Sequence, residues 1–317
     1  QILNLFIPKG RHLLSMKGKV KKANSSYNTT VEPLDTVMPI VVLVNEATAS
    51  ASEITSGTLQ DYDRAVIMGT RTYGKGLVQI PNVSLPYNGK LKLTTAKYYI
   101  PSGRCIQALR YKHTDNGYVA ENVPDSLTHE FRTAAGRIVR DGGGIKPDIE
   151  VKPDSLPNIA FYLSRVDTTD IMLNYEIDYI AAHPTVASPK DFELSDADYE
   201  QFKQRVIKSG FTYDQVSEKI LKELENLARF EGYYDDAKPE FEALRQKLKH
   251  NIAKDLDYPY NKQKIKELIA ADLMAAYYFE KGSLENSLRN DKQFAEAARL
   301  LGNPTEYQKL LQPKKEK

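Results

Sequence analysis

Cysteine is almost missing from this sequence, with Cys105 alone among 317 residues, and tryptophan is missing altogether. A single thiol excludes an intramolecular disulfide and a zinc site built on cysteines, and it leaves the compartment undecided. Charge of one sign is lacking too. The chain has 44 Lys and Arg against 42 Asp and Glu, a formal charge of +2. That is too little to recruit nucleic acid or an acidic membrane. The one dense basic run near the start, Lys17, Lys19, Lys21 and Lys22, reads as a solvated loop. No apolar run approaches the length of a membrane span. Residues 1–8 show neither an initiator methionine nor the basic start and long apolar stretch of a secretion signal. They read as the end of an amphipathic helix running into a strand, so the chain is expected to begin inside a larger protein.

What is present is ordinary for a soluble globular chain: 41% hydrophobic and 27% charged residues, enough for one large domain or two medium ones. The pattern changes near residue 155. Before it, short β-rich runs are separated by Gly, Pro and Asn; after it, the pattern is helical. Residues 39–44 form a continuous β-branched run that suits a buried central strand with both faces covered. Residues 48–62 read as a helix with Ile54 and Leu59 on its apolar face and Glu53 in its early turns. Residues 65–69 are a second buried strand, which completes a strand–helix–strand crossover. Residues 77–81 and 90–100 read as a hairpin or meander turned by Asn88-Gly89, the second of them near a sheet edge. Residues 110–140 look like a polar surface insertion, and 145–151 a short edge strand with Pro147 near its start.

Helices are expected near 158–182, 196–208, 212–230, 235–255, 260–281 and 283–300. Ser195 is an N-cap candidate, and residues 212–215 resemble a capping box. Val216, Ile220, Leu224 and Leu227 recur at helical spacing, as do Phe241, Leu244, Leu248 and Ile252, and both stripes read as packing faces. The division expected is a catalytic core over 1–154 and a helical extension over 155–317.

Chemistry concentrates at residues 45–54, where a buried strand runs into a helix through Ala47-Thr48-Ala49-Ser50-Ala51-Ser52. A hydroxyl there sits at the end of a sheet, beside the free N–H groups of a helix start, and small neighbours leave room for a peptide. That geometry suits a nucleophile whose attack generates an oxyanion. The hydroxyl needs a base. None of the five histidines (His12, His113, His129, His183, His250) lies in a motif-like setting, so a Ser-His-Asp triad is the weaker reading. A lysine can serve if desolvation lowers its pKa toward neutrality. Lys75, between Gly74 and Gly76, follows the second buried strand and points to the same end of the sheet. On spacing alone, Ser50 also reads as a helix cap and Lys75 as a solvated turn residue.

Residues 41–54, 59–66 and 69–79 together resemble the catalytic core of the carboxy-terminal processing peptidases, or tail-specific proteases, serine peptidases of the S41 type. Phe6-Ile7-Pro8-Lys9-Gly10, the stretch from Tyr98 to Gln107 and that from Gly144 to Val151 match its flanking segments in order. The resemblance covers about residues 1–152, and several ordered motifs are far more specific than one. It implies an α/β fold: a mixed-sheet core like that of the Clp protease and crotonase group, with flanking helices, followed here by an all-α extension. It also implies Ser50 as nucleophile, Lys75 as general base and Gln79 as the residue that orients the lysine. Ser52 is the rival serine, expected to face the helix interior or cap it. Asp61 takes a structural role near the helix end, and Glu53 reads as a surface or N-terminal charge.

The resemblance further implies a serine endopeptidase that cleaves near the C-terminus of exported or misfolded proteins, periplasmic or otherwise exported, with no metal or organic cofactor. Its substrate would be a protein tail held as an extended strand, with residues 90–99 as the candidate edge. The family's PDZ domain and a glycine-rich oxyanion segment are expected upstream of Gln1. Without them, and without the helix and strand expected to pack against Val41–Val44, the chain alone is expected to be inactive, with an open sheet edge there that invites a homo-oligomer. Two other classes stand beside this reading: a ligand-binding or scaffold module of the same fold, and a crotonase-like acyl-CoA enzyme.

Overall fold

β-Branched runs and small residues at one helix start build the centre of the site-bearing part of the molecule. The computed structural model describes residues 1–114, 117–166, 169–214, 216–249 and 251–313, with backbone alone at 80–83, 111–114, 117–120, 122 and 125. The chain begins with β1 (His12–Gly18) and β2 (Ser25–Asn28), then β3 (Val41–Val44), α1 (Ala51–Asp61) and β4 (Val66–Gly69). Next come β5 (Leu77–Ser84), β6 (Lys90–Tyr99), β7 (Leu109–Thr114), β8 (Gly117–Asn122), β9 (Glu130–Arg132), β10 (Ile138–Arg140) and β11 (Ile149–Glu150). The mixed α/β core followed by a helical region is the fold class expected.

β3, β4 and β11 form a parallel sheet in the order β11-β4-β3. β4 is its centre and all four of its residues are buried. Its side chains alternate: Ala65 and Ile67 join a core with Val44, Leu59, Ile100, Ile106 and Ile145, while Val66 and Met68 face a second core on the other side of the sheet. β3 is not the central strand its sequence suggests. It lies at the sheet edge, and Leu43 is 36% exposed, because its β-branched run finds a neighbour on one side only. β11 is the short edge strand expected.

The second sheet is antiparallel, in the order β2-β1-β6-β5. β5 and β6 form the hairpin read from the sequence. β6, however, is an inner strand, with β1 on one side and β5 on the other, so residues 90–99 offer no free backbone edge. The free edges are those of β2 and β5. Pro81 within β5 fits such a position, since it has no N–H to give a further strand. Residues 110–140 are more ordered than a polar insertion: they hold two hairpins, β7–β8 and β9–β10.

The helical part comprises α2 (Asn158–Phe161), α3 (Ile171–Ala182), α4 (Asp196–Lys208), α5 (Val216–Glu231), α6 (Lys238–Leu248), α7 (Ile252–Asp257) and α8 (Pro259–Ser287), then α9 (Lys292–Leu301) and α10 (Pro304–Leu310). Ser195 caps α4 as expected, its Oγ accepting the Asp198 N–H at 3.0 Å. The start expected at 212–215 ends on Gln215, which lies outside the described residues. The helix expected over 158–182 is interrupted, with Asp170 in the left-handed region just before α3. That expected over 235–255 breaks where Asn251 caps α7, its Oδ1 accepting the Lys254 N–H. α8 kinks at Tyr278 and Phe279. No described helix is long and apolar enough to cross a membrane.

The chain divides into two compact units, Gln1–Pro153 with Asp291–Lys317, and Asp154–Asn290. The final helices therefore belong with the sheets and not with the helical unit, against the single boundary expected at 154. The reason is apolar: Ala297, Leu300, Tyr307 and Leu311 cover the face of β4 that carries Val66 and Met68. Tyr307 also satisfies both backbone groups of Ile40, since its hydroxyl accepts from the N–H and donates to the carbonyl, each at 2.9 Å. Gln293 Nε2 donates to the Val151 carbonyl at 2.8 Å. The helical unit has its own core, in which Tyr175, Tyr199, Phe202, Ile265, Leu273 and Met274 are buried together.

Candidate active site

Two loops leave the carboxyl ends of the parallel strands β3 and β4 and meet. The first, residues 45–50, leads into α1. The second, residues 70–76, leads into β5. Where β4 ends, Gly69 takes φ +131° and lies so close to β3 that an added Cβ would fall 1.9 Å from the Val44 carbonyl oxygen. Beyond it, the Thr70 N–H donates to Val44 O and the Tyr73 N–H to Thr48 O, each at 3.0 Å. The crevice outside the carboxyl ends of parallel strands is where open α/β sheets place their ligands.

Ser50 is the residue on which the first loop turns into α1. It has φ 57° and ψ −116°, a combination glycine tolerates and serine adopts only under constraint. The constraint is visible. The Ser50 carbonyl accepts the N–H groups of Glu53 and Ile54, and its own N–H donates to Glu53 Oε2 at 2.9 Å. Ser50 is half-buried. Ser52, the rival, neither faces the interior nor caps the helix: it is an exposed residue of the first turn, and its carbonyl accepts the Ser56 hydroxyl.

Glu53 is the residue the sequence reading undervalued. It is fully buried, at 0% exposure, and not a surface charge. Four donors converge on its carboxylate. Oε1 accepts the Thr72 hydroxyl at 2.5 Å and the Gly74 N–H at 2.7 Å; Oε2 accepts the Ser50 N–H and, at 2.8 Å, the Lys75 N–H. One side chain thus holds the backbone of both candidate residues. Part of the signal was in the sequence, since Ser50 and Glu53 have the spacing of a capping box. The other three donors come from residues 72–75 and have no local signature.

The Lys75 turn is held from its other side by the 106–108 segment. Gln107 Oε1 accepts the Gly76 N–H at 2.8 Å, and the Ala108 N–H donates to Gly74 O at 2.9 Å. Gly74 has φ +82°, and a Cβ there would lie 2.2 Å from that of Ala108. The two glycines are demanded by this close passage, not only by the turn. Lys75 itself is exposed, as is Gln79, which lies opposite Thr94 on β6 just where the pairing slips past Thr95. Among the described residues, no hydrogen bond joins the side chains of Ser50, Lys75 and Gln79 to one another. The loops are brought together without a hydrogen bond between the candidate side chains.

At the far end of α1, Asp61 has the structural surroundings expected of it. Its carboxylate pairs with the buried Arg104 at 2.8 Å and accepts the Ser102 N–H at 2.9 Å. Burial pushes the Asp61 carboxyl upward, against the pull of Arg104. Gln60, Asp148 and Arg137 extend the network. The helix that presents Ser50 is anchored at its other end by buried polar contacts.

Residues 1–114 match the family model described as peptidase family S41. Residues 161–301 match one described as the C-terminal helical domain of a probable PDZ-protease. Over 108 residues the chain is 43% identical to a carboxy-terminal-processing protease of Bartonella bacilliformis, an alignment covering 34% of this chain and 24% of that protein. Over 84 residues it is 51% identical to a carboxyl-terminal-processing protease of Picosynechococcus sp., covering 26% and 20%. Among solved structures, a photosystem II D1 C-terminal processing protease is similar over 49% of this chain and 31% of that one, with 26% identity and a TM-score of 0.34. The chain spans about a quarter of the first of these curated relatives, 24% of its length.

Proposed function

We propose, for a chain whose first 114 residues match the model of peptidase family S41, that it carries the nucleophile and the general base of a serine endopeptidase acting near the C-termini of exported or misfolded proteins. Ser50 is the nucleophile, Lys75 the base and Gln79 the residue that orients the amine. The observation that carries the reading is the Glu53 carboxylate, which binds the backbone of Ser50 and of Lys75 at once. The strained backbone of Ser50 supports the choice over Ser52, because strain persists where surrounding contacts hold it and clusters at functional sites.

In the reaction, neutral Lys75 accepts the Ser50 hydroxyl proton as Oγ bonds to the scissile carbonyl carbon. The peptide C–N bond then breaks, the ammonium of Lys75 returns the proton to the departing amine, and an acyl-ester remains on Ser50. Water attacks that ester with Lys75 again as base, the C–O bond breaks, and Ser50 recovers its proton. The lysine must be neutral to begin. It is exposed in this chain, where an extended substrate strand can be laid over it.

That strand would pair with the open edge of β5, which starts two residues after Lys75, and not with β6, whose edges are both occupied. Main-chain pairing would hold any extended tail, and Pro81 would end the pairing on the β5 side. A PDZ domain is the partner proposed upstream, and the bacterial periplasm or another exported location is the compartment. The test uses the full-length protein on an unfolded protein substrate. Ser50→Ala and Lys75→Arg should each abolish turnover, since arginine keeps the charge and cannot act as a base near neutral pH. Retained turnover in Ser50→Ala with loss in Ser52→Ala would sink the assignment. So would an active Lys75→Arg.

A further inference from the structure

The antiparallel sheet is charged with one sign, although the whole chain is nearly balanced. The two stretches that build it, 12–28 and 77–99, contain no Asp or Glu. Its strands carry Lys17, Lys90, Lys92 and Lys97, and all four are exposed. Register puts them on one face. Leu77 stands opposite Lys97 and Gln79 opposite Thr94, with the pairing slipped past Thr95 between them. Leu77 and Gln79, two apart on β5, share a face. The slip therefore brings Lys97 onto the face of Thr94, which Lys92 and Lys90 share by alternation. Lys17 is directly opposite Lys97 across β1 and β6, and its ammonium lies 4.8 Å from the centre of the Tyr99 ring.

Like charges directly opposite one another weaken a sheet. Lysines commonly guard a sheet edge against pairing. Here they stand on the two inner strands instead, and neither edge strand, β2 or β5, carries one. Among the described residues no carboxylate pairs with any of the four; Lys90 donates to Ser84 Oγ at 3.0 Å.

We propose that this row of lysines selects acidic polypeptides, tails with Asp or Glu at alternate positions, bound as a strand on the open edge of β5. The inference rests on the catalytic reading for what is then done to the tail. A strand added to β5 lies two strand spacings from β6, roughly 10 Å. That is about one Debye length at 0.1 M salt, and long side chains on both partners shorten the gap between charges. Alternate side chains of the tail share the face of Gln79 and the lysines. Of the β5 residues on that face, Leu77 and Gln79 lie between them, and both are uncharged. The unpaired β5 edge calls for a polypeptide and the lysine row for negative charge; a membrane or a nucleic acid would use only the second.

The test gives the full-length protein one folded reporter with three unstructured tails of equal length, carrying Glu, Gln or Lys at every second position. At low salt kcat/KM for the Glu tail should exceed that for the Gln tail about fivefold or more, and the gap should close near about 0.5 M salt. Lys92→Gln with Lys97→Gln should remove the preference and leave the rate on the Gln tail unchanged. Lys92→Glu with Lys97→Glu should turn the preference toward the Lys tail. Fluorescence anisotropy of the same tails on the Ser50→Ala protein separates this proposal from the catalytic one. If no tail is cut but the Glu tail binds more tightly, and the double variant loses that advantage, the lysine row stands and the peptidase assignment falls. Equal turnover and equal binding of the Glu and Gln tails overturn the lysine row and leave the peptidase assignment intact. A preference that survives in the double variants overturns it too. So does binding to vesicles of anionic lipid that the double variants lose, with no difference among the tails.

Discussion

The carboxylate of Glu53 accepts the backbone N–H of Lys75 at 2.8 Å through the same oxygen that accepts the N–H of Ser50 at 2.9 Å. The residues are separated by 22 and 3 positions in sequence. A single buried oxygen therefore fixes the distance between the loop that presents the hydroxyl and the loop that presents the amine. Because Oε1 is engaged by Thr72 and Gly74, the carboxylate has little freedom to move.

Glu53→Gln should accordingly slow reaction at Ser50 without removing any reacting group. A glutamine amide turns N–H toward two of the four donors, and each buried donor left unpaired costs about 1–3 kcal/mol. The rate at which a serine-hydrolase probe labels Ser50 in the full-length protein should fall at least roughly tenfold, since small misplacements of reacting groups are this costly. Unchanged labelling would show that the hub serves stability alone.

Ser50→Gly should make the protein more stable as it makes it inert. With φ at 57°, serine stores strain of about 1–3 kcal/mol that glycine does not, set against a greater entropy loss for glycine on folding. A midpoint in urea that is equal to or above that of the parent, with no labelling by the probe, is the expected pair of results. A clear loss of stability would mean that Ser50 is not strained.

Tyr307→Phe should destabilise the unit that holds the sheets, although residue 307 lies far along the chain from them. Removing the hydroxyl leaves both the N–H and the carbonyl of Ile40 without their partner, at the entry to β3. The expected cost is about 1–3 kcal/mol in chemical denaturation. No measurable change would place the last helices outside the cooperative unit.

Glu176 predicts a pH dependence in the helical unit. It is buried on α3 with Oε1 unpartnered, and burial, reinforced by Asp272, raises its pKa from 4.5 to about 8. A raised acid is stabilising in its protonated form. The contribution is therefore complete below pH 4.5 and is lost as pH rises through 8. Glu176→Gln should flatten this slope, with a higher melting temperature than the parent at pH 8.5 and none of that advantage at pH 4.5. The gain is at most a few kcal/mol, at about 1.4 kcal/mol per pH unit between the two pKa values. Parallel pH profiles for parent and variant would refute it.

The sequence by itself determined what depends on neighbours along the chain. The β-branched run of β4, the β5–β6 hairpin, the Ser195 cap and the periodicity of the helices are local patterns, and they were legible because local backbone preference and side-chain period set them. The ordered motifs around Ser50 and Lys75 were legible for a related reason, as the residue types there follow the chemistry of a turn. Tertiary structure alone decided the rest. Whether a β-branched run is inner or edge depends on which strands pair with it, so β3 proved to be an edge and β6 an inner strand. Whether an apolar stripe is covered depends on what another element brings to it: α9 and α10 cover β4, while nothing described covers the α5 stripe. And Glu53 became the centre of the site only when residues 72–75 folded over it, for a buried carboxylate is defined by its donors, and three of its four lie about twenty residues away.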